Sequence, residues 1–397
     1  MHRLHLPRWL AALAVAVVVA LLGACASAPP APPPRVPTHL FEDGAFVAPS
    51  QPVDAAQIFA LSPAMKRYLD VELSAQLRSM GRQRGLVDAL YAKAQLRLDY
   101  DTDITRNAAQ AFDARSGNCL SLVVMSAALA KHLDLPIRYQ ALIGEESWSR
   151  SGDLSIVNGH VNIVIDKRLV DRVVGYELET PIQLSFGAPA VGRGAAMREV
   201  SESTIEAMFM NNRAAEALVQ GRLDDAYAHA RQAIVGEPGF FGAFNTLGVI
   251  YQRRGLVQAA ERAYAHVLAH DDKHLAAMTN LARLLEAQGR GDEAAPWRAR
   301  LARLEAEPPF HHFDLGRAAL QAGDYRAARE HILREMRRDP DYHEFHFWLA
   351  LALYGLGDYD PAGKHLTAAM NNSTTRREQS LYAAKLQALK ASATRTQ

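Results

Sequence analysis

The sequence predicts an α+β domain followed by an all-α solenoid of helical hairpins. A glycine recurs every 34 residues through the second half, at Gly221, Gly255, Gly289, Gly323 and Gly357. Ahead of that array, a helix-like apolar run opens at Cys119, and after Pro136 the apolar spacing changes to the alternation of strands. The first fifty residues fit neither pattern, being an apolar stretch and then a Pro-rich one.

Residues 1–24 carry Arg3 and Arg8, an apolar run from Trp9 to Leu22, and small residues before Cys25. That order is the order of a cleaved export signal, and the run is short for a membrane span of ~20 residues. Leu22-Gly23-Ala24-Cys25 resembles the lipobox of bacterial lipoproteins. The resemblance implies that Cys25 is lipidated and that residues 25–50 form a Pro-rich tether to the membrane. With Ala26 after the cysteine, it further implies an outer-membrane anchor facing the periplasm. Loss of Arg3 and Arg8 leaves 42 basic against 43 acidic side chains, a near-neutral balance that gives no footprint for nucleic acid.

From Asp54 to Leu98 the apolar spacing is helical, as in Ala64-Met65-Lys66-Arg67-Tyr68-Leu69, and Thr105 to Asp113 adds a short helix. Arg115 to Asn118 reads as a turn. Leu120, Val123, Val124, Ala127 and Ala128 then form the apolar face of a helix that Cys119 begins. A cysteine in that place lies among free backbone N–H groups, which favour thiolate and can also hold an oxyanion. Ile137 to Ile143 and Gly159 to Ile165 read as strands, with Asp166-Lys167 able to turn the chain into Arg168 to Val173. The chain holds two cysteines, and once Cys25 carries lipid Cys119 has no disulfide partner.

In the second half Ala226, Ala260, Ala294, Ala328 and Ala362 follow the glycines in register. Ala214, Gly248, Ala282, Gly316 and Ala350 precede them by seven residues. Two antiparallel helices need such small residues at their close crossing, and a glycine where the first helix ends at positive φ. The pattern, clearest in Phe244-Asn245-Thr246-Leu247-Gly248-Val249-Ile250-Tyr251, resembles the tetratricopeptide repeat over residues 207–376. Residues 377–397 would supply the capping helix and tail. The resemblance implies a concave surface that binds proteins or peptides, carrying Asn211, Asn245, Gln252, Arg283 and Glu286 early and Phe313, Arg317, Phe347 and Tyr354 late. The late aromatics could equally pack against the capping helix.

The segments Asn107 to Cys119, Leu135 to Tyr139, Gly159-His160-Val161 and Leu169-Val170-Asp171 together resemble the bacterial transglutaminase-like superfamily, related in fold to papain-type thiol hydrolases. The fold class implied is thus an α+β transglutaminase-like (papain-like) domain over residues 51–200, then an all-α tetratricopeptide-repeat solenoid. The resemblance assigns Cys119 as nucleophile, His160 as base and Asp171 as the residue orienting the imidazole. Asp166 competes for the third role, but six residues along a strand is ~20 Å. A two-residue turn at Asp166-Lys167 would set Asp171 opposite Asn162 on the His160 face, and a three-residue turn would reverse it. Gln110 as an oxyanion donor, Trp148 as a cleft wall, and Asn158 or Asn162 as hydrogen-bonding supports are weaker candidates. His311-His312 is an adjacent pair whose side chains diverge on a helix, so the expectation is no metal and no cofactor. The functions implied are an envelope-anchored thiol enzyme for amide hydrolysis or acyl transfer with repeats that recruit envelope proteins or peptides, or a binding scaffold in which the first domain is structural.

Overall fold

The computed structural model describes residues 35–91, 96, 98–102, 104–143, 147–151, 154–167, 181–186, 196–304, 310–373 and 376–393. Everything below concerns the compact unit from Val36 onward. Cys25 and Asp171 lie outside the described residues.

The first helices are α1 (Pro63–Arg67), running into a π turn at Tyr68–Glu72, then α2 (Ser74–Met80) and α3 (Arg82–Tyr91). A short strand β1 (Asp99–Tyr100) precedes α4 (Ala108–Ala114) and pairs in parallel with β2 (Ser116–Gly117). Helix α5 (Cys119–His132) is next, and every side chain from Leu120 to Ala130 is buried. The sequence predicts one apolar face for it; a helix apolar on all sides is instead the centre of its domain.

Beside α5 lies an antiparallel sheet of β3 (Ile137–Ile143), β6 (Val161–Ile165), β7 (Ile182–Leu184) and β8 (Ala196–Val200), in the order β7-β6-β3-β8. A separate hairpin of β4 (Ser147–Ser151) and β5 (Leu154–Asn158) occupies the stretch between β3 and β6. Strand β6 lies between β7 and β3. Ile163, Val164 and Ile165 pair with Leu184, Gln183 and Ile182 on one edge, and with Tyr139, Arg138 and Ile137 on the other. Residues 168–173, and with them the turn that would place Asp171, lie outside the described residues.

Helical hairpins follow: α6 (Glu202–Val219) with α7 (Leu223–Gly236), α8 (Phe241–Arg254) with α9 (Val257–His270), α10 (Leu275–Ala287) with α11 (Gly291–Leu304), α12 (His311–Gln321) with α13 (Tyr325–Met336), and α14 (His343–Leu356) with α15 (Tyr359–Asn372). A last helix, α16 (Arg376–Ala393), covers the end with buried Tyr382 and with Leu386. The five periodic glycines sit at φ between +73° and +85°, where a side chain would be strained. At the helix crossings a Cβ on Gly248 would stand 2.4 Å from the Tyr264 ring, and one on Gly316 2.7 Å from Ile332. The 34-residue pattern is therefore the record of a steric fit.

Two apolar cores form. One runs from Leu40 through α5 and the sheet to Ala294 in the third hairpin, and the other holds Phe310, Phe313, Phe345, Leu349 and Leu366 of the last two. Residues 38–50, assigned to the tether from the sequence, are folded onto the first hairpins. Tyr251 donates its hydroxyl to the Leu40 carbonyl at 2.8 Å, and Tyr227 donates to Asp43 at 2.6 Å. Phe46 stacks on Tyr227 at 4.0 Å, and Asp225 accepts from the backbone and hydroxyl of Ser50. Proline rigidity made the stretch look like a spacer, but Phe41 and Phe46 have apolar surface to bury.

Candidate functional site

Cys119 is the first residue of α5 because Asn118 caps that helix, its Oδ1 accepting from Ser121 N–H at 2.9 Å and from the Ser121 hydroxyl at 2.8 Å. Asn118 Nδ2 donates to Thr105 Oγ1 at 2.9 Å, and Ser121 Oγ accepts from Arg106 N–H at 2.8 Å. Gly117 is required here, since a Cβ would come within 2.6 Å of Ser121 Cβ. Glu216 of α6 accepts from Thr105 N–H at 2.6 Å, so the first hairpin also supports the turn that holds Cys119.

The sulfur lies at the edge of the strand that carries His160. Cys119 Sγ is 3.9 Å from the Gly159 carbonyl, to which the thiol can donate weakly, and Val161 N–H, Leu120 N–H and the Tyr100 hydroxyl also point to it. The residue is half-buried. That burial pushes the thiol above its ordinary pKa, and the N–H groups and the Tyr100 hydroxyl oppose it without prevailing. The helix terminus favours thiolate, and burial acts against it.

His160 is 7% exposed, and its Nε2 lies 2.8 Å from Asn162 Oδ1 and 2.9 Å from Ser185 Oγ. Burial lowers its pKa, with the Asn162 hydrogen bond acting in the opposite direction. The structure thus brings the backbone on both sides of His160 to Cys119, while the imidazole hydrogen-bonds to Asn162 and Ser185. Among the described residues, no hydrogen bond joins the ring to Sγ. Ser185 was not foreseen: it stands 25 residues after His160 and arrives through the pairing of β7 with β6. Asn162 was a minor candidate and touches the ring directly.

Of the other candidates, Gln110 is exposed, and its Oε1 accepts from Asn107 N–H in the capping box of α4. Asp166 pairs with Arg138 at 3.7 Å. The side chains of Trp148 and Asn158 lie outside the described residues, although both residues belong to the β4–β5 hairpin. His312 is buried and His311 exposed, and among the described residues no group of three His, Cys, Asp or Glu side chains gathers for a metal.

On the array, Asn245 accepts from Asn280 at 3.0 Å, Gln252 from Tyr264 at 3.3 Å, and Glu286 pairs with Arg298. Asn211 is partly buried and Arg283 exposed. Phe313 is fully buried against Phe345, and the Phe347 ring lies tilted against Tyr382 of the capping helix at 5.1 Å, the packing role that the sequence left open for the late aromatics. Arg317 lies 4.9 Å over the Trp348 ring, and Tyr354 remains 45% exposed beside Tyr359.

Residues 245–308 and 313–372 match the family model of the tetratricopeptide repeat. The helices over these residues are tetratricopeptide repeats. Among solved structures, the repeats are similar to PilF of Pseudomonas aeruginosa, with 20% identity, a TM-score of 0.29, and coverage of 45% of this chain and 82% of that one. They are also similar to a thermophilic repeat protein of Thermus thermophilus, at 18% identity and a TM-score of 0.31, covering 45% and 98%. A third, YrrB, described as a repeat protein with an unusual peptide-binding site, has 17% identity and a TM-score of 0.25, covering 45% and 92%. None of the curated proteins compared with the chain matches it.

Proposed function

We propose that this chain is a thiol-dependent enzyme of the bacterial envelope, transglutaminase-like in its first domain, whose repeats hold a protein or peptide partner. The observation that carries the reading is the sulfur of Cys119, at the start of α5, seated against the backbone on both sides of His160. Nδ1 of His160 takes the thiol proton as Sγ attacks an amide carbonyl. The carbonyl oxygen becomes an oxyanion near the N–H groups that now face the sulfur. His160 then returns the proton to the departing amine as the C–N bond breaks, leaving a thioester that water hydrolyses or a second amine takes up. Cys25 would anchor the chain through lipid in the outer membrane, on its periplasmic side, with residues 26–37 as the tether.

The second reading is a binding scaffold, and one observation favours it: the sulfur lies 3.9 Å from the Gly159 carbonyl, to which the thiol can donate, and burial works against its ionisation. Alkylation of Cys119 by iodoacetamide against pH, on residues 36–397, separates the two. If His160 is the base, His160→Ala slows alkylation near neutral pH by at least about ten-fold, the low end of general-base effects. A rate that follows simple thiol titration and ignores His160→Ala moves the assignment to the scaffold.

A further inference from the structure

We propose that Asn162 and Ser185 hold His160 with its proton on Nε2, which leaves the lone pair on Nδ1. The inference deepens the thiol-enzyme reading and rests on it for its chemical purpose, though its geometry stands alone. Along β6 every second side chain shares a face, so Asn162 lies on the face of His160. Continuing the register of Ile163 with Leu184 by one residue sets Ser185 opposite Asn162, in the position that a two-residue turn would have given to Asp171.

The ring is held at one nitrogen by two oxygens, Asn162 Oδ1 at 2.8 Å and Ser185 Oγ at 2.9 Å. An amide oxygen accepts and cannot donate, so the nitrogen facing it carries the hydrogen and the other nitrogen keeps its lone pair. Ser185 is itself fixed. Its N–H donates to the Tyr91 hydroxyl at 3.2 Å, and its carbonyl lies 3.4 Å from the same oxygen. Asn162 is 3% exposed, so an amide there without a partner would be buried unsatisfied. An amide differs from a carboxylate in consequence: it orients the ring without a full charge to favour imidazolium, in keeping with a histidine that burial keeps neutral.

The test is the tautomer of His160 in the full chain, read from imidazole nitrogen shifts in protein labelled with 15N-histidine and assigned by its loss in His160→Gln. The expected result is Nε2–H in the wild type, and a mixture with Nδ1–H in the Asn162→Ala, Ser185→Ala double variant. Asn162→Asp should keep Nε2–H and move the titration of His160 up by about one to three pH units, because a nearby negative charge favours the imidazolium. A wild-type ring protonated on Nδ1 overturns the proposal without recourse to any variant. So does a ring whose tautomer and titration ignore both substitutions. If the tautomer behaves as expected while Cys119 alkylation is indifferent to His160→Ala, the positioning stands and the thiol-enzyme reading falls.

Discussion

The first three repeats and the last two share a pattern but not a role. The early repeats share their apolar core with α5 and the sheet, support the Cys119 turn through Glu216, and carry residues 38–50 on their surface. The late repeats close a core of their own, built from Phe310, Phe313 and Phe345, under the capping helix. The comparison teaches that helical repeats with nearest-neighbour packing can be recruited piecewise. One end has become part of the α+β domain, and the other is left as a separate module.

The strongest way to break this comparison is to empty each core in turn. Phe244 and Phe313 are both fully buried, and removing such a ring costs about 3–5 kcal/mol. Phe313→Ala should melt the late repeats in an earlier calorimetric transition while Cys119 alkylation stays at the wild-type rate. Phe244→Ala should lower the transition of the early repeats and speed alkylation, because the core that it damages also packs α5. Equal effects of both variants on the thiol would mean that the two cores behave as one.

A smaller effect tests residues 38–50. Asp225 accepts from Ser50 N–H at 2.6 Å and from Ser50 Oγ at 2.7 Å, and pairs with Arg222. Asp225→Ala should cost about 1–3 kcal/mol, confined to the early transition, with faster amide exchange at residues 41–50. Burial acts to raise its carboxyl pKa, but the hydrogen bonds from Ser50 and Arg222 together hold it below the usual range. Its stabilisation is therefore complete above the unfolded value and is lost as pH falls through the lower folded one. Unchanged exchange at residues 41–50 would mean that Phe41 and Phe46 hold the segment without the acid.

These differences set how far the sequence could be read. The repeats were legible because each glycine and small residue answers a local demand, a positive φ or a helix crossing, repeated at a fixed step. The Cys119 helix was legible for the same reason, since Asn118 and Ser121 cap it within four residues. Ser185 was not, because it reaches His160 through strand pairing across a span with no periodic signal. Residues 38–50 were misread because their partners, Asp225, Tyr227 and Tyr251, lie about two hundred positions away and act through side chains. One missed feature did have a signal: His312 and His346 are 34 residues apart, as are His331 and His365, which marks a repeated His–His contact. Attention to the adjacent His311-His312 pair hid it.

That contact gives the smallest expected effect and a pH dependence for the late repeats. His346 Nε2 donates to the Pro340 carbonyl at 2.8 Å, so in the neutral pair its Nδ1 accepts from Nδ1–H of His365 at 2.9 Å. Burial, and then the neighbouring His346, hold His365 below its ordinary pKa. As pH falls through about 6.5 the unfolded chain takes up the proton first. The pair's contribution is thus complete above that value and is lost as pH falls toward the folded pKa. Asp339 and Glu378 also face this region, Asp339 acting on His346 and both acting on His343, so acid acts on several groups there. The early repeats hold their own half-buried histidine, His229, pushed down to about 4 by desolvation and then by Arg213. His365→Gln should therefore remove part of the late transition's loss between about pH 7 and 5, on the order of 1 kcal/mol or less after solvent screening, and leave the early transition's pH dependence unchanged. A late transition equally acid-sensitive in His365→Gln would place the sensitivity on Asp339, His343 and Glu378.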